Sequence, residues 1–149
     1  MNLIPVRVQP GEDLRSFLDR YVFPSGEASG FVVAGLGSLQ DAKLRFAAQD
    51  EASIVKGPSE LLSISGSISA NGCHVHVVLS TDQGQVLGGH LCHGSMVRTT
   101  AEMLLAATAG YSLTREIDSQ TGYPELSIHV RPPHPHDMDQ PLGPADAQR

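Results

Sequence analysis

The chain has 149 residues, of which 40% are hydrophobic and 17% are charged, with a formal net charge of −6. This length and apolar content suffice for one domain with its own core. Only ten Lys and Arg residues are present and they are scattered, which argues against direct, sequence-independent binding of DNA phosphates. Two cysteines exclude a secreted disulfide framework, and no apolar run approaches the roughly 18 residues of a membrane span. We therefore expect a cytoplasmic protein without membrane contact.

The first predicted elements are a strand and a helix. Apolar and polar residues alternate over residues 3–9, which predicts the strand. The helix begins at Glu12 or Asp13, because apolar side chains then recur every three or four residues as far as Val22. Pro24-Ser25-Gly26 ends this helix and separates it from the strands that follow.

A glycine-rich segment follows the next predicted strand. Residues 29–38 resemble a buried strand that leads into Gly35-x-Gly37-Ser38, and residues 39–47 alternate like another strand. Backbone amides after a strand can bind an anion, but no third glycine, lysine or helix follows at the required spacing. The segment therefore favours a tight connection between strands, and residues 48–59 favour a polar loop.

Two hairpins are predicted in the middle of the chain. Residues 61–69 alternate almost perfectly, and Ala70-Asn71-Gly72 then marks a tight turn. Residues 73–80 favour a strand, and Thr81-Asp82-Gln83-Gly84 marks the second turn. The pair Gly88-Gly89 in the last strand indicates a bulge or a close approach to the backbone. The result is a meander of three antiparallel strands.

Three histidines fall on these hairpin strands. His74 and His76 are two residues apart, so on a strand they point to the same face. A three-residue loop ending at a left-handed Gly84 would place His76 opposite His90 and His74 opposite Cys92. A four-residue loop would instead move His90 to the other face. The register therefore decides whether the three imidazoles come together.

Three imidazoles on one face can bind a divalent metal. Zinc accepts such nitrogens at roughly 2.0–2.1 Å, and three protein ligands leave a position for water or substrate. His74, His76 and His90 are thus candidate metal ligands, with Cys92 and His93 as spare ones. The alternative is that these histidines are half-buried polar residues that hydrogen-bond across the strands.

The C-terminal third begins with an ambiguous segment. Residues 99–107 contain a helix capping box, Thr99-x-x-Glu102, and are rich in Ala and Leu. Residues 126–130 alternate cleanly and should close the sheet. Beyond them, residues 132–149 are rich in Pro, Asp, Gln and Ala, which predicts a disordered tail after a single domain at residues 1–131.

Several of these motifs, taken in order, resemble the PPC family, the "plants and prokaryotes conserved" domain, over residues 3–130. The motifs are Pro10-Gly11-Glu12-Asp13-Leu14, residues 62–68, Gly72-Cys73-His74-Val75-His76, residues 84–91 and Thr100-Ala101-Glu102. The resemblance implies a compact α+β fold, an antiparallel twisted sheet with one main helix beside it, assembled as a homotrimer. It also implies metal binding by the three histidines, and a strand rather than a helix at residues 101–107.

The resemblance favours a homotrimeric interaction or regulatory module with a metal or small-ligand site. In plants the domain is joined to AT-hook motifs that bind DNA, but this chain has no such hook, which argues against direct DNA binding. The alternative is a metal-dependent enzyme. There the ion would lower the pKa of a bound water, and Glu102 or Asp82 would assist proton transfer. A nucleic acid bound through another protein is a third and weaker hypothesis.

Overall fold

The computed structural model describes residues 3–131, which form eight strands and one short helix. In chain order these are β1 (Leu3–Val8), α1 (Leu14–Asp19), β2 (Gly30–Arg45), β3 (Ser53–Ser69), β4 (Gly72–Thr81), β5 (Val86–Leu91), β6 (Met96–Ala107), β7 (Tyr111–Ile117) and β8 (Pro124–Val130). The predicted α+β class, a mainly antiparallel sheet with one helix, is confirmed. No helix in this part of the chain is long and apolar enough to cross a membrane.

Six strands form one antiparallel sheet in the order β1-β6-β2-β3-β4-β5. β2 also pairs with β5, at Leu44–Leu91 and Arg45–His90, so strands β2 to β5 form a closed ring of pairings. β3, β4 and β5 are the predicted meander. The closure brings the end of β2 next to the histidine strands.

The helix is shorter than predicted, since it ends at Asp19 and leaves Val22 63% exposed. Asp13 caps its first turn, accepting hydrogen bonds from the backbone amides of Arg15 and Ser16 at 3.0 and 3.1 Å. Leu14 and Leu18 are fully buried and attach the helix to the core. Most of the remaining core residues are aliphatic side chains of the main sheet, and Phe23, which follows the helix, is also buried among them.

The predicted break between two strands at Gly35–Ser38 is wrong, because β2 passes through this segment without turning. Its pairing with β6 shifts register at two places, Val32/Ala34 and Gly37/Leu39. A side chain at Gly37 would collide with the backbone of Thr100 on β6, so the glycine serves close strand packing. The predicted loop at residues 48–59 is also too long, since β3 begins at Ser53.

The C-terminal predictions have mixed outcomes. Residues 101–107 belong to β6, whose side chains Ala101, Met103 and Leu105 alternate into the core, so sheet burial overrides the local helix signal. The prediction that residues 126–130 close the main sheet is wrong. They lie in β8, which pairs only with β7 in a separate two-stranded sheet. The predicted tail at residues 132–149 lies outside the described residues.

Candidate metal centre

The β4–β5 turn has the three-residue form, which fixes the position of the third histidine. Gly84 has a φ of 77°, and its amide donates to the Thr81 carbonyl at 2.9 Å. The amide of Thr81 donates to the Gln85 carbonyl at 2.9 Å. His76 therefore lies directly opposite His90, as this register predicts.

The β4–β5 pairing ends at this histidine pair. The predicted partner of His74, Cys92, lies beyond the end of β5, and its amide donates to the carbonyl of Lys43 at 2.9 Å. The expected His74–Cys92 pair is therefore absent from the ladder, because β5 turns toward β2 at this point. Both cysteines are free thiols.

The ring nitrogens of the three histidines converge. Nε2 of His76 lies 3.2 Å from Nε2 of His74 and 3.2 Å from Nδ1 of His90. The rings of His74 and His90 stack with centroids 4.9 Å apart, and the ring of His76 stands edge-on to both. One potential ligand atom from each residue can be chosen so that all three lie within 4.8 Å of one another.

The two distances of 3.2 Å from Nε2 of His76 are close to those between nitrogen ligands of a shared ion. A tetrahedral zinc with bonds of 2.0–2.1 Å holds its nitrogen ligands roughly 3.3–3.4 Å apart. Nε2 of His76 carries either one proton or one lone pair in the ring plane, so it cannot form two well-directed hydrogen bonds at once. A cation between the three nitrogens would satisfy all of them.

The surroundings keep two of these imidazoles neutral. Burial lowers the pKa of His90 to about 4, and the positive charge of Arg45 and the neighbouring His76 add to this effect. Burial also lowers the pKa of His74, helped by His76 and Arg115. A neutral imidazole is the form that binds a metal ion, so ligands of this kind bind without first losing a proton near pH 7.

Arg15 on α1 braces the two strands that carry the site. Its guanidinium donates to the carbonyl of Cys73 at 2.7 Å and to the carbonyl of Leu91 at 3.0 Å. These carbonyls adjoin His74 on β4 and His90 on β5. The helix thus fixes the separation of the two histidine backbones, although its arginine does not contact the rings.

Asp19 completes this brace one helical turn later. Its carboxylate accepts hydrogen bonds from Nε of Arg15 and from the amide of Cys73, both at 3.0 Å. His93 places one ring nitrogen 3.1 Å from this carboxylate and the other 3.1 Å from the hydroxyl of Ser16. His93 therefore belongs to the brace and is not a spare metal ligand.

A cavity of about 750 Å³ adjoins the histidines. It is lined by His74 and His90 together with charged and polar side chains from five other parts of the chain, among them Arg15, Arg45, Asp50, Asn71, Arg115 and Glu125. Sequence reasoning missed all of these arginines, because nothing in their local sequence signals that β2, α1 and β7 meet at the ends of β4 and β5.

The two acidic residues proposed to assist an enzyme lie elsewhere. Glu102 lines a separate apolar groove on β1, β2, β3 and β6, and Asp82 is exposed in the β4–β5 turn. Neither lines the cavity next to the histidines. The structure thus gives no support to a proton transfer by either residue at this site.

Comparison with known proteins agrees with the fold and the motifs. A protein of Salmonella cholerae-suis has a solved structure that is 31% identical, with a TM-score of 0.82 over 87% of this chain and 94% of that one. A metal-containing protein of Archaeoglobus fulgidus is 26% identical, with a TM-score of 0.69 over 83% of this chain and 91% of that one.

A curated relative, the bifunctional protein GlmU of Synechococcus sp. strain JA-3-3Ab, is 38% identical over 93% of this chain. The chain spans only 23% of the length of that relative. Residues 1–109 match the Plants and Prokaryotes Conserved (PCC) domain, which is the PPC family that the sequence motifs resemble. The chain is therefore a member of the Plants and Prokaryotes Conserved domain family.

Proposed function

We propose that this domain binds one divalent metal ion, zinc in the first instance, through His74, His76 and His90. The observation that carries the proposal is the convergence of two imidazole nitrogens on Nε2 of His76, each at 3.2 Å. The bound ion would supply Lewis acidity and an exchangeable ligand position beside the cavity. The relative of known structure from Archaeoglobus fulgidus is a metal-containing protein, which supports the proposal of a metal site.

Elemental analysis of the purified protein tests this proposal. We expect about one zinc per chain after zinc exposure and desalting, and loss of the metal in His76→Ala and His90→Ala. His129→Ala is the matched control, because His129 is an exposed histidine on β8 that contacts Glu116 and lies outside the cluster. Unchanged metal content in both cluster variants, or no metal in the unaltered protein, would contradict the proposal.

We also propose that copies of the chain assemble as a homotrimer, the state that the family resemblance implies. The main sheet exposes large apolar side chains on one region, including Leu36 and Leu62, which are 55% and 52% exposed. These two residues line an apolar groove of about 590 Å³ on β1, β2, β3 and β6. Exposed apolar surface of this kind is typical of an interaction site.

The biological role we propose is that of an interaction or regulatory module rather than a direct DNA binder. In the Synechococcus relative the matching region makes up 23% of a bifunctional protein, which supports a role as an attached module. The net charge of −6 disfavours phosphate contact. Gel retardation with AT-rich DNA at physiological salt should therefore show no shift with the purified chain, and a clear shift would contradict an indirect role.

A further inference from the structure

The cavity beside the histidines combines features that suit a particular class of ligand. Its volume of about 750 Å³ lies within the range of small-molecule sites in proteins. We infer that it binds a small organic anion, with a carboxylate or phosphate group held by Arg45 and Arg115 next to the metal centre. This inference rests on the proposed metal binding and names the ligand class of the same site.

Arg115 is a cation that lacks a full set of partners. Its Nη2 atom donates to the hydroxyl of Ser67, the residue that pairs with His74 across β3 and β4. Its Nε atom is buried and has no hydrogen-bond partner among the described residues. Because Nε is inaccessible, an anion in the cavity would pair with the outer guanidinium nitrogens of Arg115, which lines the cavity, and pairing of this kind is charge-assisted.

Arg45 lies on the other side of the site. It is directly opposite His90 on the neighbouring strand, and its guanidinium donates only to the carbonyl of Gln49, at 3.2 Å, within residues 3–131. No carboxylate in this part of the chain lies within 4.0 Å of Arg45 or Arg115. Arg15, in contrast, is paired with Asp19 at 3.0 Å and is already used by the brace.

The charge of the cavity depends on the metal. Asp50 and Glu125 also line it, and once Arg15 is counted with its partner Asp19 they formally balance Arg45 and Arg115. A divalent ion on the neutral histidines therefore tips the site to a net positive charge. Because the ion and the two guanidiniums would act on the same ligand, metal and anion should each raise the affinity of the other by the same factor.

The geometry suggests why a single inorganic ion would not fill the site. The cavity extends from His74 and His90 to Tyr123 and Pro124 at the start of β8. Tyr123 is 65% exposed and offers an aromatic surface at the far side. A ligand with one anionic group and a small organic body would contact both regions.

The test uses Co²⁺-loaded protein, in which visible absorption reports the metal centre, with phenyl phosphate and benzoate as probes and phenol as the uncharged control. We expect both anions, or the preferred one, to bind by calorimetry and to change the cobalt spectrum, while phenol does neither. Arg45→Met and Arg115→Met should weaken anion binding by about tenfold or more and leave the cobalt content unchanged. Arg115→Lys should restore part of the affinity.

Arg98→Met is the matched control, because Arg98 is an exposed arginine on β6 outside the cavity, and it should bind the anions normally. Thermal unfolding of each variant shows whether the fold is retained. Failure of Co²⁺ to bind contradicts the metal proposal itself. Cobalt binding without anion binding, or anion affinity that is equal in the arginine variants and in Arg98→Met, contradicts only the anion site.

Discussion

At the scale of single residues, the proposed metal site depends on side chains outside the histidine cluster. Arg15 holds the carbonyls of Cys73 and Leu91, and Asp19 holds Arg15 and the amide of Cys73. Groups outside the ligands that fix ligand orientation commonly affect metal affinity. The brace is therefore expected to affect both stability and metal binding.

Replacement of Arg15 tests this expectation. Arg15→Met should lower the free energy of unfolding of the metal-free protein by about 2–3 kcal/mol, because it removes the charged partner of Asp19 and the side-chain donor of two backbone carbonyls. Zinc affinity, measured by competition with a chelator, should fall about 10–100-fold. Arg20→Met changes an exposed arginine just after the same helix and should alter neither quantity. Unchanged zinc affinity in Arg15→Met would mean that the histidines are positioned without the brace.

The same brace predicts a pH dependence of stability. Burial raises the pKa of Asp19, but the hydrogen bond and charge of Arg15 and the bonds to Cys73 outweigh it, so the pKa is lowered from 3.8. A lowered folded-state pKa means that the stabilisation is complete above the unfolded-state value, near pH 4, and is lost as the pH falls through the folded-state value. Urea unfolding between pH 5 and pH 2 should show this loss, and Asp19→Asn should show a smaller slope there. Equal slopes would contradict it.

At the scale of elements, the hairpin turns were the most predictable feature. Alternation on β4 was enough to place His74 and His76 on one face, because that signal is local. The turn residues at 81–84 left two loop lengths open, and the position of His90 depended on the three-residue form that the structure has. The continuity of β2 was not predictable, since its glycines serve close packing against β6 and a turn would use the same residues. The strand at residues 101–107 came only from the family resemblance, and the pairing of β8 with β7 was missed. Contacts of Arg15, Arg45 and Arg115 join distant segments, so no local pattern predicts them.

Replacement of Gly89 tests whether the close pairing of β5 with β2 stabilises the fold. A Cβ at this position would lie 2.9 Å from the backbone carbonyl oxygen of Arg45, so the two strands could not keep their separation. Gly89→Ala should therefore lower the free energy of unfolding by about 1–3 kcal/mol, as measured by urea denaturation. Gln85→Ala, an exposed position in the same hairpin, should change it little. A Gly89→Ala protein as stable as the control would show that β5 and β2 can move apart at this point without loss of stability.

At the scale of the whole molecule, the chain presents two surfaces of different character. The cavity beside the histidines is lined by charged groups, whereas the groove around Leu36 and Leu62 is mainly apolar. The two surfaces share β2 but no lining residue, since Arg45 is at the end of β2 and Leu36 lies nearer its start, so self-association and ligand binding can be changed separately. This separation makes the oligomeric state a test of its own.

Leu36→Asp should convert the proposed trimer to a monomer, because a carboxylate buried in an apolar interface would remain without a partner. Sedimentation velocity at micromolar concentration measures this directly. Ile128→Asp is the control, since Ile128 is 60% exposed on β8 and lies outside the groove. A monomeric mass for the unaltered protein would contradict the trimer, and a trimer that survives Leu36→Asp would place the interface elsewhere.

The histidine cluster and the brace close loops of very different length along the chain. The three histidines come from one hairpin, residues 74–90. The hydrogen bonds of Arg15 instead reach Cys73 and Leu91, which lie 58 and 76 positions further along the chain. Short loops close with less entropy loss than long ones, so contacts among the histidines cost less chain entropy than the contacts of Arg15 with β4 and β5. The proposed ion would therefore meet ligands whose convergence is set mainly within one hairpin, and Arg15 adds the long-range constraint on their separation.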